Sequence, residues 1–155
     1  MSDFIIEPIS GLVQQSLPEC TGPIEGNPVV TVTADGKPGY PCRISLQDAE
    51  VGEELYLFSH SPFSAANPYR ETGPVLVRKN AIPASLDVNE LPEIALARSI
   101  VVRAYSAVGT MLSATPTQSS EIVKTIQTVF EDKAVEFAHL RATATGCFLC
   151  EARRA

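Results

Sequence analysis

The chain has 155 residues, of which 45% are hydrophobic and 19% are charged, and its formal net charge is −6. This composition is typical of a globular protein and excludes a largely disordered one. The acidic balance argues against nucleic acid and anionic membrane as partners, because both require clustered lysine and arginine. The length fits a single domain covering residues 1–155.

The first ten residues, "MSDFIIEPIS", contain no basic segment and no sustained apolar core, so we predict no secretory signal. A cytoplasmic location is then the default expectation. In that compartment cysteines are normally reduced thiols, and the chain has four of them: Cys20, Cys42, Cys147 and Cys150.

In chain order, the first half is predicted to consist of short strands separated by loops. Runs rich in β-branched and aromatic residues predict strands at "DFIIEPI", "VVTVTAD", "LYLFSH" and "VLVRK". A brief helix is expected at residues 11–17, before a loop rich in proline and glycine at 18–28. The turn residues of "DGKPGYP" lead into "CRISL", a short extended segment. Residues 61–74 form a second long loop, a length that often indicates function or mobility.

The second half begins with a short helix predicted from Pro92. The segments "IVVRAYS" and "TMLSA" are expected to pair as a hairpin around Gly109. Residues of about 118–131 carry apolar side chains along one helical face and predict the main amphipathic helix. The segments "AVEFAHLRA" and "GCFLCEARR" then predict two more strands. This order favours an α+β fold, with a mainly antiparallel sheet, that one main helix and one or two short helices.

Cys147 and Cys150 form a Cys-x-x-Cys pair, which by itself is weak evidence for a metal or redox site. A structural zinc site needs four ligands. The intervening "FL" also favours a strand, in which positions three apart face opposite sides. We therefore predict no metal and no cofactor, and we expect Cys150 to be a small buried core residue. Cys147 follows Gly146 at the mouth of the strand and stays a candidate for facing a cleft.

Four side chains are candidates for chemistry. His139 and Arg141 lie two apart on a predicted strand and so share a face. Cys42 and Arg43 follow a rigid turn, and a thiol beside cationic groups becomes a better nucleophile. Each has an ordinary alternative as a structural histidine or an ion-paired arginine. The sequence carries no phosphate-binding glycine-rich loop, no nucleophile elbow and no zincin motif.

Several segments carry a resemblance to a known family: "GYPCRISLQDAEVGEELYLFSHSPF", "NPYRETGPVLVR", "LPEIALARSIVVRAYSAVGTML" and "GCFLCEARRA". In these segments the sequence resembles a bacterial family of unknown function, domain of unknown function 1203. Family members often end in a His-x-His strand followed by Gly-Cys. The first histidine and the Gly-Cys correspond to His139, Gly146 and Cys147, whereas Arg141 replaces the second histidine. The resemblance implies no known activity, but it favours these site residues over Cys20 and Cys150: Cys42, Arg43, His139 and Cys147.

Two functional hypotheses follow from the sequence. In the first, the protein is a module that binds a small anionic ligand or a protein partner, and a homo-oligomer is compatible with it. Its ligand-binding residues would be Arg43, Tyr69, Arg70 and Arg141. In the second, it is a small enzyme with Cys42 or Cys147 as the thiol nucleophile and His139 as the base. The position of His139 relative to the two thiols distinguishes the hypotheses.

Overall fold

The structure is a computed structural model, and it describes residues 1–11, 13–14, 17 and 27–155. Of the helix predicted at 11–17, residues 12, 15 and 16 lie outside the described residues, and residues 13 and 14 are helical. Cys20 and most of the loop predicted at 18–28 also lie outside the described residues. None of the helices in the described part of the chain is long and apolar enough to cross a membrane.

The larger sheet has five antiparallel strands in the spatial order β1-β8-β7-β5-β6. Its strands are β1 (Phe4–Glu7), β5 (Ile100–Tyr105), β6 (Met111–Thr117), β7 (Phe137–Ala142) and β8 (Phe148–Arg154). The hairpin predicted around Gly109 is confirmed, since β5 pairs with β6 and Gly109 has φ +84°. That positive φ is accessible to glycine at little cost, which explains the turn at this position.

The smaller sheet has three antiparallel strands in the order β2-β3-β4. They are β2 (Val30–Thr33), β3 (Glu54–His60) and β4 (Gly73–Arg78). The segment "CRISL" does not form a regular strand alongside them. Cys42 makes only an isolated bridge to Leu76, and Leu46 adopts φ +56°, which ends any extended run. Residues 41–43 therefore lie against β4 as a short bridge.

The predicted α+β fold class is wrong, because the described part of the chain is mostly β. It contains eight strands in two antiparallel sheets, whereas its α-helical residues are few: residues 13–14, α1 (Glu93–Leu96) and α2 (Ile122–Val129). The main amphipathic helix expected at about 118–131 is therefore an eight-residue helix, preceded by a 3-10 turn at Ser119–Glu121. The apolar spacing indicated which face is buried but not the length, because the first turn is 3-10 rather than α-helical and the α-helix ends at Val129. The short helix expected from Pro92 is present as α1.

Two apolar clusters make up most of the core. The larger packs α1 and α2 against the five-stranded sheet and includes Phe4, Ile94, Ile100, Ile122, Ile126, Phe130 and Leu140. The smaller lies under the three-stranded sheet and includes Cys42, Ile44, Phe58, Val75 and Phe148. Phe148 belongs to β8 of the larger sheet but packs in the smaller cluster. The start of β8 is therefore where the two sheets meet.

Candidate functional site

A cavity of about 500 Å³ lies at the junction of the two sheets, and we call it the junction cavity. Its volume is within the range of small-molecule binding sites. Strands β3 and β4 contribute one wall, and the ends of β7 and β8 contribute the other. The apolar lining includes Leu57, Pro74, Val75, Leu76 and Leu149. The polar lining consists of Arg43, Arg98, Ser99, Thr145 and Cys147.

Arg43 is a buried cation in this lining, with only 3% of its surface exposed. Its Nε donates a hydrogen bond to the carbonyl oxygen of Phe148 at 2.8 Å, and its Nη1 donates to the carbonyl oxygen of Pro41. No carboxylate of the described residues forms an ion pair with it, and Nη2 makes no hydrogen bond to them. Burial lowers the pKa of Arg43 to about 10, so the guanidinium is still charged at neutral pH. The cavity thus contains a positive charge without an acidic partner.

Arg98 is the second guanidinium of the junction cavity, and its charge is compensated. Its Nη1 donates to Asp48 Oδ2 at 3.0 Å, its Nη2 donates to the other carboxylate oxygen, and Nη1 also reaches the carbonyl oxygen of Ile94 at 2.8 Å. Asp48 is almost completely buried. This pair is neutral, so the uncompensated charge of the cavity is that of Arg43.

Cys147 links the junction cavity to a smaller one of about 170 Å³, which we call the side cavity. The thiol is half-buried and follows Gly146, whose φ of +73° makes the turn between β7 and β8. The two cavities share four lining residues: Pro74, Val75, Thr145 and Cys147. A ligand in the junction cavity would therefore lie beside the thiol.

His60, at the end of β3, lines the side cavity together with Cys147. Its ring nitrogens make no hydrogen bond to the described residues. Its pKa is lowered, first by burial and then by the positive charge of Arg43. The imidazole is therefore neutral at neutral pH and available as a proton acceptor.

His139 is completely buried, in a cage of aromatic rings. Ring centroids lie 4.8 to 5.3 Å from the imidazole, in Phe63, Tyr105, Phe137 and Phe148. Nε2 is 3.5 Å from Glu151 Oε2 and forms no hydrogen bond of good geometry with it, and Nδ1 is 3.5 Å from Arg141 Nη2. Burial lowers the pKa of His139. No hydrogen bond joins His139 to Cys42 or Cys147, and His139 lines neither the junction cavity nor the side cavity.

Arg141 is also buried, but its charge is paired. It forms an ion pair with Glu71, and its Nη1 donates to the carbonyl oxygen of Gly146 at 3.2 Å. Glu71 also lies 3.4 Å from Arg103. Arg141 lines the side cavity, where it fixes the β7–β8 turn.

The other predicted site residues lie apart from the junction cavity. Cys42 is completely buried, and its sulfur accepts backbone N–H groups from Ser45 at 3.4 Å and Arg78 at 3.3 Å. Tyr69 and Arg70 are exposed on the loop after β3 and line neither cavity. The predicted burial of Cys150 is confirmed, and burial raises the pKa of its thiol to about 12.

Sequence reasoning missed the contributions of Arg98, Asp48 and His60. The one signal for His60 is that the chain has only two histidines.

Among the residues that the structure describes, no group of three or more His, Cys, Asp and Glu side chains is placed to hold a metal ion.

Comparison with curated proteins and with solved structures finds no match. A family model described as "Protein of unknown function (DUF1203)" matches residues 39–154. This range includes every residue that lines the junction and side cavities. Since the match covers most of the sequence, the predicted resemblance is confirmed, and the chain belongs to the DUF1203 family of proteins of unknown function.

Proposed function

We propose that the protein is a binding module for a small organic anion, held in the junction cavity with its negative charge beside Arg43. The observation that carries this proposal is the buried guanidinium without an acidic partner. A buried charge is costly unless it is paired. An anionic ligand would supply the missing partner and recover part of that cost.

The lining indicates the class of anion. Apolar residues make up most of the cavity lining, while the Arg98 charge is compensated by Asp48, so one positive charge remains. A monoanion with an apolar body matches both properties. A phosphate dianion would bring a second negative charge into an apolar enclosure, which is unfavourable. We therefore propose a small carboxylate with a hydrocarbon body as the ligand class.

The geometry gives less support to the other predicted anion-binding residues. Arg141 already has Glu71 as its partner, and Tyr69 and Arg70 are exposed on a loop. An enzyme with His139 as base also lacks support, because the imidazole is completely buried among aromatic rings and lines neither cavity.

The proposal can be tested by mapping where an anion binds. Backbone amide spectra of 15N-labelled protein would be recorded during titration with hexanoate, with 1-hexanol as the uncharged analogue and with inorganic phosphate. We expect saturable hexanoate shifts concentrated at residues 41–43, 74–76 and 142–149, and little response to hexanol or phosphate. Hexanoate shifts confined to the loop at 61–72, or identical responses to hexanoate and hexanol, would overturn the proposal.

A further inference from the structure

We infer that Cys147 is a nucleophile that attacks the carbonyl carbon of a carboxylate-bearing ester held by Arg43, with His60 accepting the thiol proton. The inference rests on the proposed anion site and names a reaction for it. His139, which the sequence favours as the base, has no part in this arrangement.

Three placements carry the inference. Cys147 lines both cavities and is half-buried, so a ligand in either cavity would lie against this residue. His60 lines the same side cavity, and its ring nitrogens are free of hydrogen bonds to described residues. Arg43 lines the junction cavity together with Cys147, and it is buried and without an acidic partner. A nucleophile, a proton acceptor and an anion anchor are thus arranged along two adjoining cavities.

The same placements explain why the substrate should carry a carboxylate. An acyl chain with its carboxylate beside Arg43 would fill the apolar junction cavity and bring its far end toward Cys147. The alcohol portion would then occupy the side cavity, where His60 lies. Anchoring by a remote group is an effective way to position a reacting carbon, because it converts an encounter into an intramolecular step.

The reaction balances without any further reagent. The Cys147 Sγ–H proton moves to a ring nitrogen of His60, and the sulfur bonds to the ester carbonyl carbon, whose π electrons move to oxygen. When the carbonyl reforms, the C–O bond to the alcohol breaks and the leaving oxygen takes the proton from His60. Water then attacks the Cys147 thioester, giving its proton to His60. The C–S bond breaks, the acid leaves and the thiol recovers its proton.

The test compares an anionic ester, mono-4-nitrophenyl adipate, with the neutral 4-nitrophenyl pentanoate, and each rate is taken in excess of that without protein. A Cys20→Ser background removes a thiol that lies outside the described residues. We expect a burst of nitrophenolate from the anionic ester, at a rate at least tenfold above that from the neutral ester. Mass spectrometry of the quenched protein should show the acyl group on Cys147.

Variants separate the roles. Cys147→Ser should abolish the burst, and His60→Gln should slow it by about a hundredfold, the usual size of a general-base contribution. Arg43→Met should remove the preference for the anionic ester, and Arg70→Met, on the exposed loop, should leave it unchanged.

An acyl group found on another residue, or equal rates for the two esters, would overturn the inference. Wild-type protein that binds hexanoate but shows no burst would overturn the reaction and leave the anion site standing. Failure to bind hexanoate would overturn both.

Discussion

Arg43 donates its Nε–H to the carbonyl oxygen of Phe148 across 2.8 Å, although the two residues are 105 positions apart in the sequence. This hydrogen bond ties the bridge beside β4 to the first residue of β8. It therefore joins the two sheets at the cavity that we propose as the binding site. The Arg43 side chain would then both connect the two sheets and provide the positive charge that binds the anionic ligand.

Arg43→Ala is expected to lower the free energy of unfolding by about 2–5 kcal/mol. The change leaves the carbonyl oxygens of Pro41 and Phe148 without their donor and opens a void at the junction. Arg43→Met should cost less, because it fills much of the same volume and removes the buried charge. Urea unfolding followed by circular dichroism gives both values. Equal stabilities for wild type and Arg43→Ala would contradict the structural role.

Asp48→Asn is expected to lower the free energy of unfolding by about 3–5 kcal/mol, since it leaves the Arg98 guanidinium without its counter-charge in a largely buried position. Glu54→Gln is the matched control. It breaks a 3.1 Å ion pair with Lys79 that is mostly exposed, so its cost should be less than about 1 kcal/mol. If urea unfolding shows the same loss in free energy of unfolding for both variants, Asp48 is not the buried counter-charge of Arg98.

The two histidines predict a loss of stability in mild acid. Burial lowers the folded-state pKa of His139, and burial followed by Arg43 lowers that of His60. Above pH 6.5, the ordinary histidine pKa, both histidines are neutral in the folded and in the unfolded protein, so their titration does not change the free energy of unfolding. As the pH falls below 6.5 and through the lower folded-state pKa, the unfolded state binds protons first, so stability falls.

Substitution of His139 tests that dependence. His139→Phe keeps an aromatic ring in the cage and removes the titrating group, so the loss of stability between about pH 7 and about pH 5 should become smaller. His60→Gln should reduce it separately. The measurement is urea unfolding at a series of pH values. A pH profile unchanged in both variants would show that other groups control acid stability.

Thiol accessibility gives a further prediction. In a Cys20→Ser background, a neutral maleimide should modify Cys147 in the native protein, because its sulfur is partly exposed. Cys42 and Cys150 are completely buried and should react only as the chain unfolds. Peptide mass spectrometry after timed quenching distinguishes the three sites. Rapid native labelling of Cys150 would contradict its place in the core.

Most of the strands were predictable from the sequence, but the fold class was not. Strand formation follows local backbone preference, which runs of β-branched residues and alternating apolar and polar residues reveal in the sequence. For this reason all eight strands contain residues from segments that the sequence predicts as strands. The length of the helix at 118–131 was overestimated because apolar spacing shows which face is buried but does not distinguish a 3-10 turn, which residues 119–121 form, from an α-helix. The division into two sheets depends on contacts between distant segments, such as Arg43 with Phe148, which no local pattern reveals.

The candidate site was predictable only in part. The sequence singled out Arg43 and Cys147, and both line the junction cavity. It paired Cys42 or Cys147 with His139, because histidine suits proton transfer near neutral pH and this one shares a strand face with Arg141, but β7 places the imidazole inside the aromatic cage. His60 reaches the side cavity from the end of β3 in the other sheet. Which strand ends meet there is set by the packing of the sheets.

Calorimetric titration of hexanoate into the wild type and two arginine variants tests the central claim, that Arg43 holds an organic anion, most directly. We predict measurable hexanoate binding to wild type, at least a tenfold loss of affinity in Arg43→Met, corresponding to about 1.4 kcal/mol, and no change in Arg70→Met. Circular dichroism of Arg43→Met would first establish that the variant is folded under the titration conditions. Unchanged hexanoate affinity in folded Arg43→Met, or loss of affinity in Arg70→Met instead, would contradict the account.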